Sequence, residues 1–156
     1  MYRKILVPLD GSPIAARGLT EAIELGKLTG ARLRLIHVID ELSFALSAGY
    51  GLMYSGDIVN VLREAGAEIL SQAQTRVRAS GLEVDTVLND SFAGRVCDIV
   101  VAQVGVWGAE FIVLGTHGRR GVGRLFMGSD AENIVRSATI PVLLLRADAT
   151  ASEAGR

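Results

Sequence analysis

The residues best placed to do chemistry lie in one glycine-rich segment, residues 115–129. This segment contains five glycines and three arginines and no acidic residue, so it carries a local charge of +3. Glycine lets backbone N–H groups approach an anion closely, and a helix that begins at the end of the segment would add unpaired N–H groups and the positive end of its dipole. The segment therefore predicts an anion site, and phosphate is the ligand class that it favours. We predict that its three arginines contact the anion; the alternative is that they lie on a solvent-exposed face. They are Arg119, Arg120 and Arg124.

The glycine spacing excludes two well-known phosphate motifs. Gly123 and Gly128 have the separation found in a P-loop, but Ser129-Asp130 follows where Lys-Ser or Lys-Thr is needed, so the lysine contact to phosphate is missing. Gly121 and Gly123 would open a dinucleotide fingerprint, but Phe126 occupies the position of its third glycine. A phosphate site in this segment needs a different motif.

Two polar residues at the ends of predicted elements have competing interpretations. Asp10 could face a ligand, or it could form a turn with Gly11 by bonding its own backbone. Ser129 could contact phosphate, could cap the last helix as the first residue of a Ser-Asp-Ala-Glu capping box, or could do both. A triad of Asp10, His117 and Ser129 is not supported, because no nucleophile elbow is present. We predict no catalytic residue.

A helix, a glycine and an apolar strand follow one another three times along the chain. The glycines are Gly30, Gly81 and Gly108, and each can take the left-handed conformation that ends a helix. Strands are predicted over 4–9, 32–38, 83–88, 111–114 and 142–145, and helices over 13–29, 57–80, 95–106 and from 129 onward. The alternation predicts an α/β fold, an open doubly wound parallel sheet of five strands in the order 3-2-1-4-5 with helices on both faces.

The predicted sheet also predicts where a ligand binds. Ligands of such sheets lie beyond the carboxyl ends of the strands, where neighbouring connections leave toward opposite faces. Asp10 and the segment 115–129 follow the first and fourth strands, which are neighbours in the predicted order. The helix over 95–106 is apolar nearly all round, and we predict that it is well buried.

Composition indicates one domain without a general attraction to nucleic acid or membranes. The chain has 156 residues, is 49% hydrophobic and 21% charged, and has a net charge of −1. We predict a single domain over 1–146 and a flexible tail over 147–156. The linker over 40–56 is long for a connection, and we interpret it as a ligand-side lid, a partner contact or a disordered loop.

The sequence gives no sign of metal or disulfide chemistry. The lone Cys97 cannot form an internal disulfide and is interpreted as a buried apolar residue, and no Cys/His cluster has metal-ligand spacing. His37, at a strand end, is interpreted as structural. The first apolar run is too short for a signal peptide or a membrane span, so the cytoplasm is the predicted location.

The spacing that fits the segment is Gly115-x2-Gly118-x9-Gly128-Ser129. It resembles the ATP-binding branch of the universal stress protein family, whose signature is G-x2-G-x9-G-[S/T]. The resemblance continues through residues 5–12, 36–39, 115–119, 131–134 and 141–144. It covers nearly the whole chain apart from the 40–56 linker and the tail.

The resemblance implies an adenine nucleotide as the ligand, ATP with or without Mg²⁺. It implies that Asp10 approaches the ribose or the adenine and that Val38 meets the base through its backbone and side chain. The family commonly has Val or Thr after the Gly-Ser pair, whereas this chain has Asp130, which could weaken ATP binding, demand Mg²⁺ or point away. The residues implied to cradle ribose and phosphates are Gly115, Gly118, Gly128 and Ser129.

Three classes of function are compatible with these residues. A nucleotide-binding stress-response module with little or slow hydrolysis is the favoured one. A weak ATPase or phosphotransferase is an alternative, and so is an interaction module without nucleotide, against which the intact glycine signature argues. The last strand, Val142–Leu145, is expected at a sheet edge, where pairing with its copy would give a homodimer of the kind that the resemblance also implies.

Overall fold

A computed structural model describes residues 1–40, 56–91, 94–116 and 127–146, with the side chains of residues 56 and 57 left undescribed. In these ranges, five parallel strands form one sheet in the order β3-β2-β1-β4-β5. This confirms the predicted sheet and its strand order. The strands are β1 (Lys4–Pro8), β2 (Arg32–Val38), β3 (Val84–Asn89), β4 (Phe111–Gly115) and β5 (Val142–Leu145).

Helices join consecutive strands, as the alternation predicted. α1 has the predicted bounds, because the Ser12 hydroxyl accepts a hydrogen bond from the Ala15 N–H at 3.2 Å and Gly30 ends the helix with a φ of 70°. Gly81 and Gly108 follow the next two helices with φ of 81° and 70°. The helices are α1 (Pro13–Thr29), α2 (Gly56–Ala79), α3 (Val96–Trp107) and α4 (Ser129–Ser137).

The helices cover both faces of the sheet, and each face has its own apolar core. α1 and α2 pack on one face of the sheet and enclose the first core. α3 and α4 pack on the other face and enclose the second core. β1 serves both, since Ile5 and Val7 point into the first core and Leu6 into the second. Burial on both faces explains why the middle residues of β1 and β4 are all apolar.

The prediction that α3 is well buried is wrong, although the helix is apolar nearly all round. Its buried residues lie on one side of the helix, whereas Val106 is 76% exposed. α3 packs against one face of the sheet, so only the side of the helix that faces the second core is shielded from solvent. The buried residues are Cys97, Val100, Val104 and Trp107.

Two expectations fall outside the described residues. They concern the tail over 147–156 and all but the ends of the linker over 40–56. The proposed roles of the linker, the flexibility of the tail and the single-domain boundary at residue 146 stay predictions.

Candidate functional site

The carboxyl edge of β1 and β4 forms the switch point of the sheet. The two strands are paired with Ile5 opposite Phe111 and Leu6 opposite Ile112. α1 follows β1 onto the first core, and α4 follows β4 onto the second core. Neighbouring connections therefore leave toward opposite faces, which is the arrangement that opens a ligand crevice. Asp10 follows β1 and Gly115 ends β4, so both predicted residues lie at this edge.

Asp10 forms the turn between β1 and α1. Its Oδ1 accepts a hydrogen bond from the Ser12 N–H at 2.8 Å, and Gly11 has a φ of 80°. The turn interpretation of Asp10 is therefore confirmed. This bond holds the half-buried Asp10 just after the carboxyl end of β1, and a ligand contact of Asp10 stays a prediction.

The two ends of the glycine-rich segment meet at the end of β4. The Thr116 N–H donates to the Leu145 carbonyl at 2.9 Å, and the Gly128 N–H donates to the Thr116 carbonyl at 2.7 Å. Thr116 is only 4% exposed. The chain thus leaves β4 and returns to the same point before α4 begins. Gly118 and Arg119 lie outside the described residues, and their predicted contacts stay predictions.

Packing alone explains why residue 115 is glycine. A Cβ atom on Gly115 would lie 3.0 Å from Ile14 Cγ2 and 3.2 Å from the main-chain carbonyl carbon of Ile14. A side chain would therefore push the start of α1 away from β4. The first glycine of the signature has a structural role that needs no ligand.

The capping interpretation of Ser129 is wrong. The N-cap of α4 is Gly128, with φ −59° and ψ 148°, and its carbonyl accepts a hydrogen bond from the Glu132 N–H at 2.9 Å. Ser129 is the first helical residue, and it is exposed. Because Thr116 engages the Gly128 N–H, an anion at this helix would have to meet N–H groups later in the first turn.

A charged cluster that the sequence analysis missed lies beside the start of α4. The Arg95 guanidinium lies 3.0 Å from the Asp98 carboxylate, and this hydrogen-bonded pair lowers the pKa of Asp98. Burial raises the pKa of the Cys97 thiol, with Asp98 and Asp130 raising it further, so Asp130 lies near the start of α3. Cys97 is buried, as predicted. No motif signals this proximity, since it follows from the packing of α3 against α4.

Val38 ends β2, and its main-chain groups point toward β1. On one side of β2 the Leu9 N–H donates to the Ile36 carbonyl at 2.8 Å, and on the other the Ile39 N–H donates to the Asn89 carbonyl at 2.9 Å. Successive residues of a central parallel strand bond to opposite neighbours, so the N–H and carbonyl of Val38 face the same side as those of Ile36. That side is the one on which Asp10 follows β1.

His37 has the structural role that was predicted for it. Its Nδ1 lies 2.7 Å from the Leu9 carbonyl oxygen. Its ring packs against α2 where residue 66 is glycine, because a Cβ on Gly66 would lie 2.6 Å from the His37 Cδ2. The imidazole therefore lies between the end of β1 and α2.

Among the described residues, no three His, Cys, Asp or Glu side chains are grouped as metal ligands. In the same part of the chain, no helix is both long enough and apolar enough to cross a membrane.

Comparison with known proteins decides the family. The model of the universal stress protein family matches residues 1–146. The chain belongs to this family. Universal stress protein A homolog 2 of Coxiella burnetii is 32% identical over 146 residues, which cover 93% of this chain and 95% of that protein. The family resemblance is therefore confirmed.

Solved structures of this universal stress protein's relatives have the same fold. The protein MJ0577 of Methanocaldococcus jannaschii has a TM-score of 0.83 and 24% identity, over 96% of this chain and 99% of that one. The universal stress protein from Archaeoglobus fulgidus in complex with dAMP has a TM-score of 0.66 and 26% identity, over 93% of this chain and 98% of that one.

Proposed function

We propose that this universal stress protein binds an adenine nucleotide, with ATP as the preferred ligand, in the crevice between the carboxyl ends of β1 and β4. The observation that carries the proposal is that the Asp10 turn and both ends of the glycine-rich segment meet at one switch point of the sheet. The A. fulgidus relative in complex with dAMP supports an adenine nucleotide as the ligand class.

The base is proposed to lie against the end of β2. Adenine presents an acceptor, N1, beside a donor, the N6 amino group, on its pairing edge, and proteins read bases through such edges. The main-chain N–H and carbonyl of Val38 have the complementary polarity and face the crevice side of β2. The Val38 side chain packs against the second core and offers an apolar surface to the ring. The Asp10 carboxylate is proposed to accept a hydrogen bond from the ribose.

The phosphates are proposed to lie over the start of α4. The helix supplies the positive end of its dipole, and Gly118, Gly128 and Ser129 let the chain pass close to the phosphate oxygens. Arg119 adds a positive charge to the same segment. Gly115 would contribute indirectly, by letting α1 and β4 approach each other.

The negative charge of Asp130 is the reason why we propose that ATP binds together with Mg²⁺. It stands in the first turn of α4, where its charge favours the helix dipole but opposes a triphosphate. A divalent cation on the phosphates would reduce that repulsion. We therefore expect ATP to bind more tightly with Mg²⁺ than without it.

We propose a regulatory role with slow hydrolysis rather than efficient catalysis. The segment 115–129 lacks the P-loop lysine that contacts the transferred phosphate in many ATPases. Nucleotide binding would then act by changing contacts with partners, and we expect this to occur in the cytoplasm.

The proposed assembly is a homodimer through β5. This strand is at the edge of the sheet and pairs with β4 on one side. Its four residues, Val142–Leu145, are all half-buried and apolar. Pairing with the same strand of a second chain would cover them and satisfy the outer backbone groups.

Isothermal titration calorimetry with ATP and GTP, each with and without Mg²⁺, tests the nucleotide proposal. ATP should bind more tightly than GTP. Equal binding of the two, or no binding of either under all four conditions, would reject it. Mass spectrometry of the natively purified protein should also detect a bound adenine nucleotide.

A further inference from the structure

We propose that His37 is a positioning residue that sets the preference for adenine, because it ends the β1–β2 pairing early and so keeps the Val38 N–H for the base. This inference rests on the nucleotide-binding proposal above. Its structural part concerns the protein without ligand and can be tested separately.

The hydrogen-bond ladder between β1 and β2 ends one bond earlier than a regular parallel ladder through Leu9 and Val38 would. Its last pair is Pro8 opposite Ile36, and its last hydrogen bond runs from the Leu9 N–H to the Ile36 carbonyl at 2.8 Å. In a regular parallel ladder the next bond would run from the Val38 N–H to the Leu9 carbonyl. Between these two described residues that bond is not formed.

The Leu9 carbonyl has a different donor. The His37 Nδ1 lies 2.7 Å from its oxygen. A carbonyl oxygen can only accept, so the imidazole must carry its proton on Nδ1 in this contact. The side chain thus takes the place that the next main-chain N–H would have in the ladder.

The ring is held in this position from two sides. His37 pairs with Leu88 of β3 through the backbone, which fixes the direction of its side chain toward the first core. α2 lies so close to the ring that only glycine fits at position 66. The hydrogen bond to Leu9 is therefore built into the packing of β2, β3 and α2.

The free donor at Val38 favours a base that presents a hydrogen-bond acceptor over one that presents a donor. A Val38 N–H outside the ladder can donate to N1 of adenine, whereas guanine carries a hydrogen on N1 and would oppose it. If the Val38 N–H returned to the Leu9 carbonyl, this donor would be lost and the difference between the two bases would shrink.

Hydrogen exchange of single amides, read by NMR without nucleotide, tests the structural part. In the wild type the Val38 amide should exchange much faster than the Ile39 amide, which is bonded to Asn89. In His37→Leu the Val38 amide should become protected, because the Leu9 carbonyl has lost its side-chain donor. His37→Asn keeps an N–H near the position of Nδ1 and should behave as the wild type does.

Calorimetry with ATP and GTP on the same three proteins tests specificity. The ratio of ATP to GTP affinity should fall about tenfold in His37→Leu and recover in His37→Asn, as expected for one hydrogen bond. A protected Val38 amide in the wild type, or an unchanged Val38 amide in a folded His37→Leu, would overturn the inference even if no nucleotide bound. Loss of selectivity in both variants equally would also overturn it, since a general packing defect would then be the cause. If His37→Leu does not fold, the wild-type amide and the His37→Asn ratio still decide.

Discussion

The Gly128 N–H donates to the Thr116 carbonyl at 2.7 Å, and this bond closes the glycine-rich segment at the end of β4. It gives the glycines of the signature different tasks. Gly128 is engaged with the protein's own backbone, and Gly115 is needed for the contact of β4 with α1. Gly118 is the signature glycine for which a direct phosphate contact remains the main interpretation.

Substitutions at two of these glycines should therefore separate stability from binding. Gly115→Ala places a Cβ 3.0 Å from Ile14 and should lower the free energy of unfolding by about 1–3 kcal/mol, as overpacking does. Gly118→Val should leave the melting temperature unchanged and abolish ATP binding, because a side chain would fill the phosphate's space. Thermal denaturation and calorimetry on both variants provide the comparison.

Gly105→Ala is the matched control for these glycine substitutions. A Cβ at Gly105, in α3, would meet no atom within 4 Å. It should raise stability by about 0.5–1 kcal/mol and leave ATP binding unchanged. Normal ATP binding by Gly118→Val would show that the phosphate site lies elsewhere.

Asp10 should contribute to ATP binding as well as to the turn. Asp10→Ala removes both the bond to the Ser12 N–H and the proposed ribose contact, so ATP affinity should fall by about 1–3 kcal/mol and stability should fall with it. Asp10→Asn keeps an oxygen for Ser12 and should preserve the melting temperature. If Asp10→Asn also binds ATP like the wild type, then the carboxylate charge has no part in recognition.

Asp130→Val should strengthen ATP binding in the absence of Mg²⁺. The substitution removes a negative charge from the first turn of α4, close to the proposed phosphates. It should also lower stability by about 0.3–1 kcal/mol, because an acidic residue there favours the helix dipole. Calorimetry with and without Mg²⁺ measures the difference.

Glu132→Gln is the control for Asp130, since it removes an acidic charge from the same turn. Glu132 lies 2.8 Å from Arg136 in a surface ion pair. Its substitution should leave ATP affinity nearly unchanged. Equal effects of the two substitutions would mean that Asp130 serves only the start of the helix.

The sequence was sufficient for the fold because its local signals agree with one another. Ser12 and Pro13 mark the start of α1 and Gly30 marks its end, so the predicted bounds were correct to the residue. Apolar strands that alternate with helices leave few arrangements other than a doubly wound sheet. The placement of Asp10 at the carboxyl edge followed from that arrangement.

The contacts that refine the site depend on residues distant in sequence. Ser129 resembles a capping residue locally, but the bond from Gly128 to Thr116 fixes the chain so that the helix starts one residue earlier than a Ser129 cap requires. The bond from His37 to Leu9 joins two strands, and no local pattern signals it. Val106 is exposed because no other described element covers its side of α3, and the composition of a helix does not predict which of its sides are covered.

The dimer proposal predicts which backbone group of β5 matters. The Ile112 N–H donates to the Pro141 carbonyl at 3.0 Å, and the Thr116 N–H donates to the Leu145 carbonyl at 2.9 Å. Odd-numbered residues of β5 therefore bond to β4, and the N–H of Leu144 faces the open edge of the sheet. Leu144→Pro removes that outer donor without removing a bond to β4, which is the position where an edge strand tolerates proline.

Light scattering after size exclusion, at micromolar concentration, should find the wild type as a dimer and Leu144→Pro as a monomer. Leu144→Val is the matched control, because it shortens the side chain in the second core but keeps the N–H, and it should remain a dimer. A monomeric wild type would reject the dimer itself. A dimeric Leu144→Pro protein would show instead that the two chains meet through another surface, because a ladder through the edge of β5 needs the donor that proline lacks.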